Sequence, residues 1–437
     1  MKYNKPETIK EKVENMEGAT LNHEGSLVYN HDDKTTLLKM VSTSLVGEQK
    51  FYMDGDSHDM EIIKLTQKVS LQDPYFILNL AVYAREILKL RSIPLMLLAE
   101  FANTTHVPYS RQYVTRTIQR VDEITELIAY QLQRNKVIPR TTKLPMMLKN
   151  GVGEAFNKFD EYQFAKYNRK GLVSLKDALF LTHPKPKDNA QQKIFNKIIE
   201  DKLETPETWE TYISANGSSK ESWSYIAPKL PIFALVRNLR NLIKYDVPVE
   251  FYEQKLRNPE IIQKSRLLPF RFYSAYEAIQ ETDGFQKRNV MSALEDAMEL
   301  SIGNIEKLKG KTAIFVDVSG SMTASISRNS NVSYMEIARL FGAISDKIFP
   351  ESIIGVFGQK FAEINISKRA SILSKMKDIT NVGVGHSTNG YLAIQWLLEK
   401  GIRVDRIIIF SDEQLWNSNS YFGRQDGVTV QSEIEKY

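Results

Sequence analysis

The sequence predicts an α-helical solenoid followed by an α/β domain, and two patterns support that prediction. Up to about Leu308, apolar residues recur at the three- and four-residue steps of amphipathic helices, with short polar breaks between them. After Lys311, short aliphatic runs alternate with helical patterns, as in a mostly parallel sheet with helices packed on it. We therefore expect a helical domain over residues 1–308 and an α/β domain over residues 309–437.

The first region contains helices with clear apolar stripes. Phe76, Leu80, Tyr83 and Ile87 recur on one helical face, and we expect Tyr75, Phe76 and Tyr83 to lie in the core. The sequence has no exact internal period, so the predicted solenoid consists of degenerate helix pairs. A second stripe of the same kind is formed by Leu235, Leu239 and Leu242.

The second region alternates strand and helix. Gly401 is a stop signal for the last predicted helix. Only residues 413–437 remain beyond the last predicted strand, and they are polar and poor in strand formers. We expect an α/β domain that is abbreviated at its C-terminus, or a chain that is truncated there. The predicted elements are strand 312–316, helix 335–348, strand 353–357, helix 391–400 and strand 406–410.

Composition narrows the function classes. The chain has 58 basic and 53 acidic residues and a net charge of +5, so a nucleic-acid role must rest on a local basic patch. The lack of cysteine excludes disulfides, thiolate zinc sites and thiol nucleophiles. The sequence also has no apolar signal segment at its start and no apolar stretch long enough to cross a bilayer. We predict a monomeric cytoplasmic protein that does not engage membranes.

Three oxygen-bearing residues follow the first predicted strand of the α/β region. Asp317, Ser319 and Ser321 are alternate residues on the turn after residues 312–316. A carboxylate and two hydroxyls that converge on one point are the hard ligands that a small divalent cation requires. The turn therefore predicts part of a site for Mg²⁺ or another divalent cation.

Two later segments are expected to complete this site, because ligands of an open parallel sheet gather outside the carboxyl ends of its strands. Thr388 precedes the helix predicted at 391–400, and Asp412 follows the strand predicted at 406–410. The full set of predicted metal ligands is Asp317, Ser319, Ser321, Thr388 and Asp412.

Other interpretations of the same turn have less support. Ser-Gly-Ser after a strand can serve turn geometry alone. A serine hydrolase is disfavoured because Ser319 lacks the flanking glycines of a nucleophile elbow and His386 is the only base candidate nearby. A phosphate-binding loop is disfavoured because the glycines around His386 lack the lysine that such a loop needs.

The order Asp-x-Ser-x-Ser, then Thr, then Asp resembles the metal-ion-dependent adhesion site of von Willebrand factor A domains, which have a Rossmann-like α/β fold. The resemblance implies a Mg²⁺ ion with an open position that a carboxylate from a ligand can fill. Two departures are visible in this sequence. Asn389 follows Thr388 where the relatives usually carry an acidic residue, and His386-Ser387 stands in place of paired glycines.

The helical region resembles the TROVE module of the Ro autoantigen family, which are RNA-binding proteins of animals and bacteria. The most distinctive match is QFAKYNRK at residues 163–170, followed by THPKP at residues 182–186. With the α/β domain, the resemblance extends from about residue 20 to residue 412. Further blocks in the family's order are NHEG at 22–25, FY at 51–52, ALVRNLR at 234–240 and SRLLPF at 265–270.

This resemblance implies helical repeats similar to HEAT units that close into a ring, joined by the A-type domain. It also implies that small non-coding Y RNAs bind a basic outer surface. The single-stranded 3′ end of a misfolded or degrading RNA would enter the central hole. By position in the motif, RNA contacts would fall on Lys166, Lys170 and His183, where Lys170 replaces a family arginine.

The residues themselves favour the same role. Lys166, Arg169 and Lys170 give a basic helix shoulder, and Lys185 extends it beyond His183. The alternatives are a solvated helix face for the charge run and a packed or helix-ending histidine at position 183. The aromatic residues interleaved with these cations, which could stack on bases, are Tyr162 and Tyr167.

Arg237 and Arg240 are further candidates for RNA contact. Because they lie on a strongly apolar helix, ion pairs within the solenoid are the alternative.

Three functions remain open. The first is a non-enzymatic RNA-binding scaffold that supports RNA quality control and presents RNA to an exoribonuclease. The second is a Mg²⁺-dependent protein-adhesion module that recognises an acidic residue of a partner, with the helices as support. The third is a metal-dependent nuclease, which is disfavoured because a single cation held by hydroxyls and two carboxylates suits ligand binding more than two-metal hydrolysis.

Overall fold

A computed structural model describes residues 19–21, 27–29, 31–43, 55–134, 144–168, 171–204, 206–326, 332–380, 382–412 and 428–437. The chain divides into two compact units. Residues 30–208 form one, which we call the helical unit, and residues 209–437 with 1–29 form the other, the mixed unit. The sequence blocks at 22–25 and 51–52 lie outside the described residues.

The described part of the helical unit is built from α-helices. Neighbouring helices pack on one another, and their apolar faces enclose a single core cluster that runs from Leu37 to Ile198. This is the arrangement expected of a solenoid. The helices are α1 Asp33–Ser42, α2 Gly55–Gln72, α3 Pro74–Glu86, α4 Ser92–Thr104, α5 Arg111–Thr117, α6 Val121–Arg134, α7 Met146–Ala155, α8 Glu161–Tyr167, α9 Leu175–Thr182 and α10 Asn189–Ile199.

Helix α3 corrects one detail of the predicted core. Tyr75 and Tyr83 are 47% and 45% exposed, so the prediction that they are core residues was wrong. Leu80 is buried and Phe76 packs against the core, as predicted, and the rest of the buried side includes the aliphatic residues Ile77, Ala81 and Ala84. A tyrosine in a core needs a partner for its hydroxyl, whereas these aliphatic side chains need none, so the helix turns its aliphatic side inward.

The mixed unit begins with a second set of helices. Leu235, Leu239 and Leu242 are fully buried in it, as their spacing predicts. These helices are α11 Trp209–Asn216, α12 Lys220–Ile226, α13 Ile232–Lys244, α14 Glu253–Leu256, α15 Pro259–Ser265, α16 Pro269–Gln280 and α17 Lys287–Ser301.

A four-stranded sheet follows, built from β3 Lys311–Asp317, β4 Glu351–Phe357, β5 Phe361–Ile364 and β6 Arg406–Phe410 in the order β5-β4-β3-β6. β3 pairs in parallel with β4 and β6, and β5 joins the edge of β4 antiparallel. The helices of this α/β part are α18 Tyr334–Ile348, α19 Ile372–Thr380, α20 Tyr391–Glu399 and α21 Val430–Lys436.

Both faces of this sheet are covered. Ile314 and Val316 of β3 face a core shared with α18, α19 and the preceding helices, whereas Ala313 and Phe315 face a smaller cluster that includes Ile394 of α20. Because side chains alternate along a strand, each face of β3 supplies a separate apolar layer. The prediction of helices followed by an α/β domain with a mostly parallel sheet is confirmed.

The shared core ties helices α13 to α17 to the sheet. Glu299 of α17 accepts hydrogen bonds from the Lys347 ammonium at 2.5 Å and from the Ile372 backbone N–H at 2.7 Å. The compact units therefore differ from the two domains predicted from the sequence, and the boundary after residue 308 stays a prediction.

Two further features complete the fold. A short antiparallel pair, β1 Ala19–Leu21 with β2 Leu27–Tyr29, precedes the helices and was not expected from the helical periodicity. Among the residues that the structure describes, no helix has the length and apolar character needed to cross a membrane.

Candidate metal centre and nucleic-acid surface

The predicted metal ligands begin at the carboxyl end of β3. Asp317 is the last residue of this strand and is completely buried. Its carboxylate accepts a hydrogen bond from the Ser319 backbone N–H at 2.9 Å through Oδ1 and one from the Ser411 hydroxyl at 2.8 Å through Oδ2. The strand holds Asp317 in place, and the following turn folds back over it.

The two serines of the turn lie next to each other. Ser319 is buried, Ser321 is half-buried, and their hydroxyl oxygens are 3.2 Å apart. Alternate residues of a turn can thus place two neutral oxygen ligands beside one carboxylate, as the sequence predicts.

The loop that carries Thr388 lies against this turn. The Gly320 backbone N–H donates to the His386 carbonyl at 2.9 Å, and Thr388 is buried. Asn389 fastens the loop to the end of β4, because its backbone N–H donates to the Gly358 carbonyl at 3.0 Å. A Cβ at position 358 would lie 2.4 Å from the Gly385 carbonyl oxygen, so this approach of the two loops requires glycine.

The third segment follows β6, the parallel neighbour of β3. It brings Ser411 into contact with Asp317, and half-buried Asp412 lies close enough that its charge acts on the same carboxylate. Sequence reasoning did not count Ser411 among the site residues. Its position one residue before a predicted ligand, at a strand end, is the signal that could have identified it.

Burial raises the pKa of Asp317 above its ordinary value of 3.8. Hydrogen bonds from Ser319 and Ser411 oppose this shift in the pKa, and the nearby negative charge of Asp412 adds to it.

The donor set fits a small divalent cation. Among the described residues, no Lys, Arg or His forms an ion pair with Asp317, although this carboxylate is fully buried. Two carboxylates and three hydroxyls are hard oxygen ligands of the kind that Mg²⁺ takes. The described residues contain no cluster of three or more His, Cys, Asp or Glu that could hold a metal, and the predicted set contains only two carboxylates.

The serine hydrolase interpretation loses further support. His386 is exposed, and in the described part of the chain its ring forms no hydrogen bond with Ser319 or Ser321. A nucleophile and its general base would lie within hydrogen-bonding reach.

The predicted RNA-contacting residues lie in the helical unit. Lys166 is exposed near the end of α8, and its ammonium is 5.8 Å from the ring centroids of both Tyr162 and Tyr167. Tyr167 is also covered by the Arg120 guanidinium at 4.6 Å, whereas Tyr162 is 52% exposed. Tyr162 is therefore the more accessible of the two predicted stacking surfaces.

His183 and Lys185 follow α9. His183 ends this helix in the left-handed conformation with φ 48°, and its side chain is exposed. The segment after it is held by Asn157, whose amide donates to the Lys185 carbonyl at 2.8 Å and accepts from the Lys187 backbone N–H at 2.9 Å. His183 does end a helix, as one alternative proposed, and its exposed ring is accessible for contact with RNA.

The structure does not join all of these residues. No hydrogen bond or ion pair links Lys166 to His183 or Lys185 within the described ranges. Arg169 and Lys170 lie outside the described residues. The assignment of RNA contacts to this group stays a prediction.

Arg237 and Arg240 are exposed on α13. Among the described residues neither forms an ion pair, so the alternative of salt bridges within the solenoid does not describe them.

Comparison with known proteins places the chain in a family of helical proteins that carry an A-type α/β domain. The TROVE domain matches residues 20–201 and 199–322, and the Ro60 vWA domain matches residues 311–421. The chain belongs to the TROVE family.

The relatives differ in how much of their length is shared. An RNA-binding protein RO60 of Deinococcus radiodurans is 20% identical over 90% of this chain and 83% of its own length. Telomerase protein component 1 of Mus musculus is 23% identical over 58% of this chain, which spans only 13% of that protein. The crystal structure of the Deinococcus radiodurans RO (RSR) protein superposes with a TM-score of 0.69 at 18% identity, covering 93% of this chain and 90% of the other, so the two share a fold.

Proposed function

We propose that this chain is an RNA-binding scaffold of a ribonucleoprotein rather than an enzyme. One observation carries the proposal: a member of the TROVE family exposes Lys166, His183 and Lys185 on its helical unit, where no described acidic side chain pairs with them. Exposed lysine ammonium groups bind the phosphates of RNA, and an exposed imidazole can donate a hydrogen bond to them. Two relatives carry the name RNA-binding protein, which supports the same class of ligand.

The finer parts of the proposal concern the RNA itself. We propose a small structured non-coding RNA of the Y type on the basic surface and single-stranded 3′ ends of misfolded or degrading RNA as the second ligand. Phosphate contacts carry little sequence information, so preference would come from RNA shape and unpaired ends. An exoribonuclease partner, a role in RNA quality control, a monomeric state and a cytoplasmic location belong to this proposal.

A Mg²⁺ ion is the proposed cofactor. Asp317, Ser319, Ser321, Thr388 and Asp412 would hold it, and the bound ion would supply an open coordination position for an acidic ligand. The chain's own residues prepare the site: β3 fixes the Asp317 carboxylate, and the Ser411 hydroxyl orients its Oδ2. A buried carboxylate with no cationic partner among the described residues also favours a second candidate function, adhesion to an acidic partner protein through this ion.

The test is recovery of RNA with the protein from its native host, followed by sequencing. We expect one abundant small RNA with a long stem. In the double variant Lys166→Glu and Lys185→Glu, at least about tenfold less of this RNA should be recovered, because two cations become repulsive to phosphate. The double variant Lys39→Glu and Lys64→Glu changes the same charge at exposed positions of the same unit and should retain the RNA.

Two results would contradict the proposal. One is recovery of no RNA above background at low salt, which would favour adhesion to a protein. The other is equal loss of RNA in both double variants, which would mean that bulk charge rather than this surface binds it.

A further inference from the structure

Two adjoining grooves in the mixed unit are lined by basic residues that no part of the proposed function uses. One, of about 410 Å³, lies between α13 and α16 and is lined by Phe233, Arg237, Arg240 and Arg271 among others. The next, of about 370 Å³, shares Arg240 with it and continues to Lys244.

The cations of α13 form a row. Leu235, Leu239 and Leu242 bury one side of this helix, so Arg237, Arg240 and Lys244 stand on its exposed side. At about 1.5 Å rise per residue, the three positions are separated by roughly 4.5 and 6 Å along the axis. Long cationic side chains at this spacing can each contact a phosphate, so the row can follow the backbone of one nucleic-acid strand.

These cations have little internal compensation. In the part of the chain that the structure describes, Arg237, Arg240, Lys244 and Arg271 form no ion pair with Asp or Glu. Asp283, beside Lys244, is the single acidic side chain among the residues that line the two grooves. Four positive charges against one negative charge make the surface complementary to a polyanion.

Aromatic side chains accompany the row. Phe233 is 46% exposed one helical turn before Arg237. The Arg271 guanidinium lies 6.0 Å from the Phe233 ring centroid and 5.0 Å from that of Phe270. An exposed ring beside cations can stack on a base only if that base is not already stacked inside a duplex, which favours an unpaired strand.

We infer that the α13–α16 groove binds a segment of unpaired RNA, with phosphates on Arg237, Arg240, Lys244 and Arg271 and a base against Phe233. This inference deepens the proposed function, since it assumes that RNA is the ligand of the chain. It assigns the unpaired strand to residues of the mixed unit, separate from the surface of Lys166 and Lys185.

The test measures binding of a fluorescently labelled 12-nucleotide oligouridylate to the full chain by anisotropy, at several salt concentrations. The double variant Arg237→Glu and Arg240→Glu should bind about tenfold or more weakly, with a salt slope smaller in magnitude by ~1.4. Phe233→Ala should weaken binding about fivefold or more while leaving the salt slope unchanged, because it removes stacking and no charge.

A matched control carries the same charge change elsewhere in the mixed unit. Lys377→Glu with Lys400→Glu alters exposed residues of the α/β domain that do not line either groove. It should bind the oligonucleotide within about twofold of the unaltered chain. Circular dichroism and the thermal midpoint establish that each variant is folded, and Arg237→Gln with Arg240→Gln is the milder replacement if the reversal destabilises α13.

Three outcomes would overturn the inference. The first is a loss of affinity in the control equal to that in the Arg237 and Arg240 variant. The second is tighter binding of a 12-base-pair RNA duplex than of the single strand, with the same dependence on these arginines. The third is competition by a polyglutamate peptide of equal charge at the concentration at which unlabelled RNA competes, with no effect of Phe233→Ala, which would identify an acidic peptide as the ligand.

The same experiment separates this inference from the proposed function. The Lys166 and Lys185 variant should lose structured RNA and retain the oligonucleotide. If structured RNA never binds but binding of the oligonucleotide still depends on Arg237 and Arg240, the proposed function is wrong and the inference about the groove holds. If structured RNA binds as proposed while binding of the oligonucleotide does not depend on these arginines, only the inference about the groove is wrong.

Discussion

Two buried carboxylates lie at opposite ends of the strands of the same sheet, and their negative charges are compensated differently. Asp346, at the end of α18, bonds to Ser352 at the amino end of β4, and it pairs with Lys375 at 2.5 Å and Lys368 at 2.6 Å. Asp317, at the carboxyl end of β3, has only hydroxyl and N–H donors among its described contacts.

The difference has a direct electrostatic consequence. Burial opposes the ionisation of Asp346, but hydrogen bonds from Lys368, Lys375 and Ser352 outweigh it and lower the pKa of this carboxyl. Burial of Asp317 meets no such opposition from a cation, and its pKa is raised. A buried charge is tolerated when a partner accompanies it. At the amino ends of the strands the chain itself supplies that partner, whereas at the carboxyl ends the proposed Mg²⁺ ion would supply it.

The largest expected effect comes from removing the Asp346 carboxylate, which is paired with lysines. Asp346→Ala leaves the fully buried Lys375 ammonium without its carboxylate, and we expect a loss of about 3–5 kcal/mol in the free energy of unfolding. Urea denaturation measures it. Asp378→Ala, at an exposed position of α19, is the control and should change stability by less than about 0.5 kcal/mol. Equal losses of stability in the two variants would mean that the Asp346–Lys375 ion pair makes no particular contribution to the free energy of unfolding.

The second prediction concerns the carboxyl end of β3, where Mg²⁺ is proposed to bind. With Mg²⁺ at one hundred times its dissociation constant, the unaltered protein should gain about 2.7 kcal/mol, seen as a higher thermal midpoint than in chelator. Asp317→Ala should show no such gain, and Asp378→Ala should show all of it. A Mg²⁺ response that survives Asp317→Ala would place the ion elsewhere.

A smaller effect is expected from Ser411→Ala. This change removes the hydroxyl that donates to Oδ2 of Asp317 at 2.8 Å, a hydrogen bond whose net contribution is of order 1 kcal/mol. Mg²⁺ titration followed by calorimetry should show affinity weakened about fivefold, by the same free energy. Ser371→Ala, at an exposed position of the same domain, is the matched control. Unchanged affinity in Ser411→Ala would show that this hydroxyl does not orient the carboxylate.

The smallest effect concerns pH. The folded-state pKa of Asp346 lies below its ordinary value of 3.8, so its contribution to stability is complete above that pH and is lost as the pH falls through the folded pKa. The stability difference between the unaltered protein and Asp346→Asn, from urea midpoints, should therefore be constant between pH 5 and 7 and shrink below pH 3.8. A difference that grows on acidification would reverse the assigned direction.

Prediction from the sequence was most accurate at strand ends and helix starts, where local patterns determine the position of the side chains. The turn after residue 316 and the helix that begins at Tyr391 were predicted because local patterns decide them, and the structure has both. The Asp346–Lys375 pair joins residues 29 apart on different helices, so no local sequence pattern predicts it. Tyr75 and Tyr83 of α3 were mispredicted as core residues, since the packing of neighbouring helices selects which side chains are buried.

Charge on an exposed surface was harder to interpret. Arg237 and Arg240 could have been paired inside the solenoid, and only the contacts of α13 show them unpaired among the described residues. Ser411 was missed because its place at a strand end reveals a contact with Asp317 only once β6 is known to lie next to β3.

The double contact of Glu299 has a consequence for cooperativity. One carboxylate holds both α18 and the start of α19, while Ile314 and Val316 of the sheet belong to the same core as helices α13 to α17. Severing the chain after residue 308 would uncover that layer of the sheet rather than release a finished domain. Helices 209–308 and the sheet should therefore melt as a single transition, so a ligand bound at either part would protect the amides of both from hydrogen exchange.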